Sequence, residues 1–180
     1  SDGPEDAQLL LSEVFRSVEW VRQDRGTISE EAAIQSICAR LPSRLHKAVS
    51  NIIVGWHENI TPYPEMERLV RRLKASGYGI YLLSNTGKAF HAFRERIPAL
   101  EQFDGEFASG DWHLTKPCEA IYLTFCAHFS LKAESCFFID DAPANIEGAQ
   151  NIGMQGFVYH GDMAKLSAAL VAAGIRLYAE

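Results

Sequence analysis

Polar residues that could bind an anion come directly after an apolar run. Ser84, Asn85 and Thr86 follow Gly79–Leu83, a run typical of a strand buried on both faces. A hydroxyl group and exposed backbone N–H groups at the start of a helix form an anion site. The same residue types are also good helix caps, so capping alone would explain them. This cluster by itself leaves both interpretations open.

Lys116 is a second candidate, because it stands immediately before Pro117, where a helix is expected to begin. A positive charge there faces the positive end of the helix dipole, which is unfavourable unless an anion is bound nearby. The alternative is a lysine that points away into solvent. The position therefore indicates either an anion site or an ordinary surface lysine.

Asp140 and Asp141 form a third candidate at the end of the apolar run Cys136–Ile139. Neighbouring carboxylates repel each other and are costly to remove from water. A divalent cation would offset that cost, and such hard oxygen ligands suit Mg²⁺. The alternative is that Asp141 caps the helix containing Pro143 while Asp140 is solvated.

The three clusters are more informative together than singly. Phosphoryl transfer needs hydrogen-bond donors and a lysine for the non-bridging oxygens, and a carboxylate-held Mg²⁺ for the developing charge. Each cluster belongs to a different α/β segment, and ligands of open parallel sheets bind beyond the carboxyl ends of the strands. One part of the set is missing, namely a nucleophile or base at the end of another strand.

The elements that must position these residues change in type along the chain. Apolar residues in the first third have helical spacing, as at Leu11, Val14, Phe15 and Val18, and Ser29 marks a helix start. From about residue 61 onward strands and helices alternate, which implies a parallel α/β sheet. Strands are predicted over Gly79–Leu83, Glu106–Ala108, Cys136–Ile139 and Gly156–Tyr159, and helices over 87–97, 142–152 and 163–173.

Composition excludes several classes of protein. The 180 residues carry a net charge of −6 without a basic run, whereas nucleic-acid binding needs clustered Lys and Arg. No apolar run approaches the ~18 residues of a membrane span. The four cysteines lack the two-residue gaps of zinc or redox motifs, which favours free thiols in a reducing cytoplasm. We expect a cytoplasmic monomer or homodimer that binds neither nucleic acid nor membranes.

The motif residues resemble those of the haloacid dehalogenase-like (HAD) superfamily of phosphohydrolases. The resemblance implies an α/β fold with a Rossmann-like parallel core over residues 61–180 and a small helical cap over 5–60. Three stretches carry it, in the order of the second, third and fourth family motifs: Ile80–Asn85, Lys116-Pro117, and Phe137–Asp141 with Asn145.

The resemblance also implies a role for each candidate residue in a phosphatase. Ser84 and the Asn85 amide would bind the phosphate. Lys116 would neutralise the phosphate and the nucleophile. Asp141, together with Asp140, would hold Mg²⁺.

The stretch from Trp20 through Asp24-Arg25-Gly26 resembles the cap of the subgroup that contains α-D-glucose-1-phosphate phosphatase. This resemblance implies that Trp20 and Arg25 face the substrate. Capping at the surface of a helix is the alternative for these polar residues.

The chain departs from the family pattern at the first motif, an Asp-x-Asp that ends a buried strand and supplies the nucleophile. Asp2-Gly3-Pro4 has no apolar run before it, so Asp2 is not assigned as the nucleophile. By the family's strand order, the missing central strand belongs between the strands ending at Leu83 and Ile139. We therefore expect the natural protein to have further residues before Ser1.

The function expected from the resemblance is Mg²⁺-dependent removal of phosphate from a small phosphorylated metabolite, for example a sugar phosphate, through an aspartyl-phosphate. One alternative is a catalytically silent relative that binds phosphorylated ligands or a partner. Another is a 2-haloacid dehalogenase, although the paired Asp140 and Asp141 argue against it because dehalogenation needs no metal.

Overall fold

The structure is a computed structural model that describes residues 3–59 and 61–177, so Asp2 lies outside the described residues. The helices in chain order are α1 (Pro4–Leu10), α2 (Val18–Asp24), α3 (Glu30–Cys38), α4 (His46–Gly55), α5 (Pro64–Ala75), α6 (Phe90–Phe93), α7 (Ser109–Trp112), α8 (Glu119–His128), α9 (Pro143–Asn151) and α10 (Met163–Ala172). The strands are β1 (Tyr81–Ser84), β2 (Gly105–Ala108), β3 (Phe137–Asp140) and β4 (Gln155–Val158).

The chain divides into two compact units. The first contains the residues up to Thr61 together with 85–94 and 108–113. The second contains 62–84, 95–107 and the residues from Leu114 onward. The first unit is therefore made of the helical start of the chain and two short segments that follow β1 and β2.

Serine side chains start two helices of the first unit. The Ser17 hydroxyl accepts a hydrogen bond from the Trp20 amide at 3.1 Å and thereby caps α2. The Ser29 hydroxyl accepts one from the Ala32 amide at 3.2 Å and caps α3, as the sequence predicts. Each cap satisfies an amide that has no partner inside its own helix.

The sequence predicts that one helical face carries Leu11, Val14, Phe15 and Val18. This prediction is wrong for three of the four residues. Only Val14 is buried, whereas the other three side chains are exposed. The reason is the π-helical turn Leu11–Phe15, which is wider than an α-helical turn, followed by a break before α2. The wider turn shifts the phase, so residues at α-helical spacing no longer share one face. The core of the unit is instead formed by Val14 with Leu10, Ile37, Leu41, Leu45, Val49 and Ile53.

The second unit contains two pairs of strands with helices packed against them. Strand β3 pairs in parallel with β4, and Phe138 lies opposite Gly156 in the register. Strand β1 is hydrogen-bonded to β2. The largest apolar cluster includes Phe107, Ile121, Tyr122, Phe125 and Ala149, which joins α8 and α9 to the strands.

A cavity of about 780 Å³ lies between the two strand pairs. Among the described residues, no strand pairs with both β1 and β3, and the sheet order has two separate two-stranded sheets. The cavity wall includes apolar side chains from both β1 and β3, and it reaches Asp140 and Asp141. Within the described residues, an apolar cavity therefore lies where the central strand of the sheet is expected.

The predicted strands are present, with ends that differ by one or two residues from those expected. The helix expected over 87–97 is wrong in length, because only Phe90–Phe93 is α-helical and Arg94–Arg96 is a 3₁₀ turn. Pro98 disfavours helical backbone at Ile97, so the helical segment does not continue beyond Arg96. None of the helices within 3–59 and 61–177 has the length and apolar character to cross a bilayer.

Two valines on α4 test the core of the first unit. Val49 is fully buried, whereas Val54 is 48% exposed. We expect Val49→Ala to lower the free energy of unfolding by about 2 kcal/mol, because it removes buried methyl groups and leaves a cavity. Urea unfolding would measure this, with Val54→Ala as the matched control at about 0.5 kcal/mol or less. Equal losses in the two variants would contradict the assigned core.

Candidate active site

A buried ion pair joins the ends of two strands in the second unit. The Lys116 ammonium donates to Asp140 Oδ2 at 2.6 Å and to the Leu83 carbonyl oxygen at 3.0 Å. Both charged side chains are only 7% exposed. Lys116 therefore connects the end of β1 to the end of β3, and the solvated lysine considered from sequence is wrong.

The second carboxylate oxygen of Asp140 also accepts hydrogen bonds. Asp140 Oδ1 accepts from the Ala142 amide and from the Asn145 side-chain amide, each at 2.9 Å. Burial alone would raise the pKa of Asp140, but the Lys116 ammonium and these donors outweigh it and hold the pKa below its ordinary value. Asp140 is therefore an anion held in a fixed orientation.

The packing of α8 on α9 places the segment that carries Lys116. The Tyr122 hydroxyl donates to the Asn145 carbonyl oxygen at 2.7 Å. A Cβ added at Gly148 would lie 2.5 Å from the Pro117 carbonyl oxygen, so only glycine lets α9 approach this closely. The Lys116–Pro117 peptide bond is cis, and the Lys116 ammonium lies 5.3 Å from the centre of the Phe138 ring.

Ser84 ends β1 and directly follows Leu83, whose carbonyl oxygen binds Lys116. The side chains of Ser84 and Asn85 are half-buried. The Thr86 amide is not available to an anion, because it donates to the Ser109 hydroxyl at 2.8 Å. Of the three residues in this sequence cluster, Ser84 and Asn85 remain candidates for a phosphate site.

Asp141 differs from its neighbour Asp140, because its side chain is exposed and lines the cavity beside β3. It does not cap the following helix, since Ala142 occupies the cap position of α9 without a side-chain hydrogen bond. Within the described residues no group of three or more His, Cys, Asp or Glu side chains could enclose a metal. Asp140 and Asp141 are nevertheless consecutive carboxylates at the end of β3, and hard oxygen ligands of this kind fit Mg²⁺.

The first unit contains a cavity of about 460 Å³. Trp20 lines it, as do Asp24 and Gly26, whereas Arg25 is exposed and is not a lining residue. The Arg25 carbonyl oxygen is bound instead, at 2.9 Å from His113 Nδ1. Of the two residues predicted from sequence to face the substrate, Trp20 lines this cavity and Arg25 does not.

Sequence reasoning missed Ser109, which is fully buried. Its hydroxyl donates to the Asp24 carbonyl oxygen at 2.6 Å and accepts from the Thr86 amide. It therefore fixes both the Asp24 turn and the segment after Asn85. A serine at the end of a short strand has no distinctive spacing, so the sequence contains no signal for this role.

Comparison with known proteins identifies the family of this chain. A family model described as a haloacid dehalogenase-like hydrolase matches residues 16–153. The chain belongs to the haloacid dehalogenase-like hydrolase family. The predicted family, the α/β fold class and the prediction of an enzyme are therefore confirmed for this HAD-like hydrolase.

Two relatives from fungi are similar to most of the HAD-like chain. A sesquiterpene phosphatase of Aspergillus oryzae is 28% identical over 158 residues, which cover 84% of this chain and 79% of the relative. A drimenol cyclase of Aspergillus calidoustus is 25% identical over 158 residues, which cover 86% of this chain. The match covers 30% of the cyclase, so this chain corresponds to under a third of that relative.

A solved structure shares the fold of this HAD-like hydrolase. It is a HAD family enzyme from Bacteroides thetaiotaomicron in complex with magnesium and inorganic phosphate. Its TM-score is 0.63 at 18% identity, and the alignment covers 92% of this chain and 91% of that chain. At this level of identity the likeness shows the fold alone.

The Lys116–Asp140 pair predicts a pH dependence of stability. Because the pKa of Asp140 is lower in the folded protein, its contribution is fully present above the unfolded value of about 3.9 and is lost as the pH falls through the folded pKa. We expect Asp140→Asn to lower the free energy of unfolding by about 3–5 kcal/mol near pH 7, because it leaves a buried lysine without its counter-charge. The difference from wild type should shrink as the pH falls from about 4 to about 2.

Denaturant unfolding at several pH values measures this difference. Asp141→Asn is the matched control at the exposed neighbouring position and should change stability by about 0.5 kcal/mol or less. A wild-type advantage over Asp140→Asn that stays constant down to pH 2 would contradict the assigned ionisation.

Proposed function

We propose that this HAD-like hydrolase is a Mg²⁺-dependent phosphatase that removes phosphate from a small phosphorylated metabolite. The observation that carries the proposal is the buried Lys116 ammonium, held by Asp140 and by the Leu83 carbonyl oxygen one residue before Ser84. A buried cation bound at the strand end that carries Ser84 suits a phosphate ester, whose non-bridging oxygens need both charge and hydrogen bonds.

Each residue of the cluster has a role in this proposal. The Ser84 hydroxyl and the Asn85 amide donate to phosphate oxygens. Lys116 neutralises the phosphate and the attacking carboxylate. Asp140 positions Lys116, with which it forms the buried ion pair.

Asp141, with Asp140, would hold Mg²⁺ in this enzyme. Asp141 is the better placed ligand because its carboxylate is exposed to the cavity, whereas both oxygens of Asp140 already accept hydrogen bonds. When bound, the ion would supply positive charge where negative charge develops during phosphoryl transfer. The ion pair between Asp140 and Lys116 does not depend on bound Mg²⁺.

The nucleophile in this proposal is an aspartate on a strand that occupies the cavity between β1 and β3. The apolar side chains of both strands in its wall suit a strand buried on both faces. An aspartate at the carboxyl end of that strand would lie beside Lys116. Its carboxylate attacks phosphorus, the bond from phosphorus to the ester oxygen breaks, and the leaving alkoxide takes a proton from water to become the alcohol. Water then hydrolyses the aspartyl-phosphate to inorganic phosphate and the free carboxylate.

The proposed substrate is a small phosphate monoester. A sugar phosphate follows from the resemblance of the segment around Trp20 and Arg25 to the glucose-1-phosphate phosphatase subgroup. A sesquiterpene phosphate follows from the name of the Aspergillus oryzae relative. Both are phosphate monoesters and require the same cluster around Lys116.

We also propose a helical cap over residues 5–60 and a Rossmann-like core over 61–180. The change from helices alone to alternating strands and helices near residue 61 supports this division. A cytoplasmic monomer or homodimer without affinity for nucleic acid is part of the same proposal, supported by the net charge of −6 and the free cysteines.

Replacement of the buried lysine tests the proposed role directly. In the natural full-length protein, we expect Lys116→Ala to lower the turnover of a panel of phosphate monoesters by about tenfold or more, because the phosphate loses its counter-charge. Lys165→Ala, at a side chain that is 77% exposed, is the matched control and should turn over at the wild-type rate. Wild-type turnover by Lys116→Ala would exclude the role.

Phosphate release from p-nitrophenyl phosphate separates the phosphatase from its alternatives. We expect release with Mg²⁺ and loss of release when EDTA removes the ion. A silent relative would release no phosphate under either condition, and a dehalogenase would release chloride from 2-chloro acids. An intact mass of the natural protein equal to that of the 180-residue chain, with full activity, would contradict the proposed nucleophile strand.

A further inference from the structure

Tyr122 on α8 is fully buried, and its hydroxyl is bound to the neighbouring helix α9. The hydroxyl donates to the Asn145 carbonyl oxygen at 2.7 Å. Apolar packing alone does not account for a tyrosine here, because a phenylalanine ring would fill the same space without a polar atom to withdraw from water. The hydroxyl therefore has a role that depends on the group to which it donates.

Asn145 connects Tyr122 to the ion pair of the candidate active site. Its backbone carbonyl oxygen binds the Tyr122 hydroxyl, while its side-chain amide donates to Asp140 Oδ1 at 2.9 Å. The other carboxylate oxygen of Asp140 accepts from the Lys116 ammonium at 2.6 Å. A continuous series of hydrogen bonds thus runs from the phenol, through one asparagine and one aspartate, to the buried lysine.

The ring of Tyr122 supports the same lysine by a second route. The ring centres of Tyr122 and Phe138 are 5.7 Å apart at an interplanar angle of 82°, which is an edge-to-face contact. The Lys116 ammonium lies over the Phe138 ring at 5.3 Å from its centre, within the range of cation–π attraction. Phe138 therefore contacts both the Tyr122 ring and the ammonium.

Gly148 of α9 lets the Tyr122 ring approach the helix closely. A Cβ built at Gly148 would lie 2.9 Å from Tyr122 Cε2 and 2.5 Å from the Pro117 carbonyl oxygen. Both distances are shorter than those that real Cβ atoms show. The tyrosine is therefore held against α9 at the same glycine as the segment that carries Lys116.

We propose that Tyr122 is a positioning residue for the Lys116 ammonium. Its hydroxyl fixes Asn145 and thereby Asp140, and its ring holds Phe138 beside the ammonium. This role rests on the proposed phosphatase function, in which Lys116 neutralises the phosphate and the attacking carboxylate. A small displacement of such a charge lowers the rate steeply, because its contribution depends on where negative charge develops in the transition state.

Removal of the hydroxyl alone tests this role in the natural full-length protein. We expect Tyr122→Phe to lower kcat for p-nitrophenyl phosphate by about fivefold or more and to change KM by less than about twofold, because the displaced ammonium loses mainly transition-state stabilisation. Thr124→Val is the matched control. It also removes a hydroxyl of α8 that donates to a carbonyl oxygen at 2.7 Å, that of Ala120, and it should retain the wild-type kcat.

A double-mutant cycle with Asn145 identifies the route from Tyr122 to Lys116. Once Asn145→Ala has removed the amide bound to Asp140, Tyr122→Phe should reduce kcat by less than about twofold further, because both changes break one series of hydrogen bonds. Losses that multiply in the double variant would overturn this route. Asn145→Ala leaves the buried ring intact, so a wild-type kcat in that variant would overturn the proposal even if Tyr122→Phe fails to fold.

Unfolding of the variants provides a measurement that does not depend on phosphatase activity. We expect Asp140→Asn to raise the equilibrium constant of unfolding by a factor that is at least about threefold smaller in the Tyr122→Phe background than in wild type, because the ion pair has already lost its fixed geometry. In the Thr124→Val background this factor should equal that in wild type. Equal factors in all three backgrounds would overturn the positioning role.

The outcomes separate the positioning role from the chemistry. Phosphate release by the wild-type protein, with kcat unchanged in Tyr122→Phe, would overturn the positioning role and leave the phosphatase proposal intact. No phosphate release by the wild-type protein, together with the smaller unfolding factor in Tyr122→Phe, would refute the phosphatase proposal and support the hold of Tyr122 on the ion pair. A loss of kcat in Thr124→Val as large as that in Tyr122→Phe would overturn the inference.

Discussion

The ammonium of Lys116 and the carboxylate of Asp140 lie 2.6 Å apart with almost no exposure to water. Removing both charges from water costs several kcal/mol, and the attraction between them only partly offsets that cost. A pair of apolar side chains at these positions would be expected to stabilise the fold as well or better. The need for stability therefore does not explain the pair, whereas the need for a lysine ammonium held in a fixed position at the ends of β1 and β3 does.

The surrounding structure is arranged to hold that lysine. Asp140 is itself fixed by the Ala142 amide and by Asn145 at the start of α9. Gly148 allows α9 to pack against Pro117, the residue after Lys116. The backbone oxygen of Leu83 then ties the lysine to β1 across the cavity. A displacement of α9 would thus displace Asp140 and Pro117, and with them the Lys116 ammonium.

Much of this cluster was predictable because the relevant residues follow apolar runs, and runs of that kind become buried strands. The contact between Lys116 and an aspartate at the end of β3, and the gap between β1 and β3, follow from the order of those strands. The sequence did not indicate which of the two aspartates would pair with Lys116, since Asp140 and Asp141 are chemically equal. They differ in the structure because Asp140 is the last residue of β3 and its side chain is buried, whereas Asp141 lies beyond the strand and is exposed. Ser109 and Tyr122 were beyond reach, because tertiary contacts alone give them their positions.

In the proposed enzyme, Ser84, Lys116 and Asp141 act together on a phosphate group and its Mg²⁺. A crystal structure of the natural full-length protein with Mg²⁺ and inorganic phosphate tests this most directly. It should show the phosphate hydrogen-bonded to the Ser84 hydroxyl and to the Lys116 ammonium, with the ion bound by Asp141. Phosphate bound elsewhere, with no phosphate oxygen in contact with the Lys116 ammonium, would contradict this arrangement.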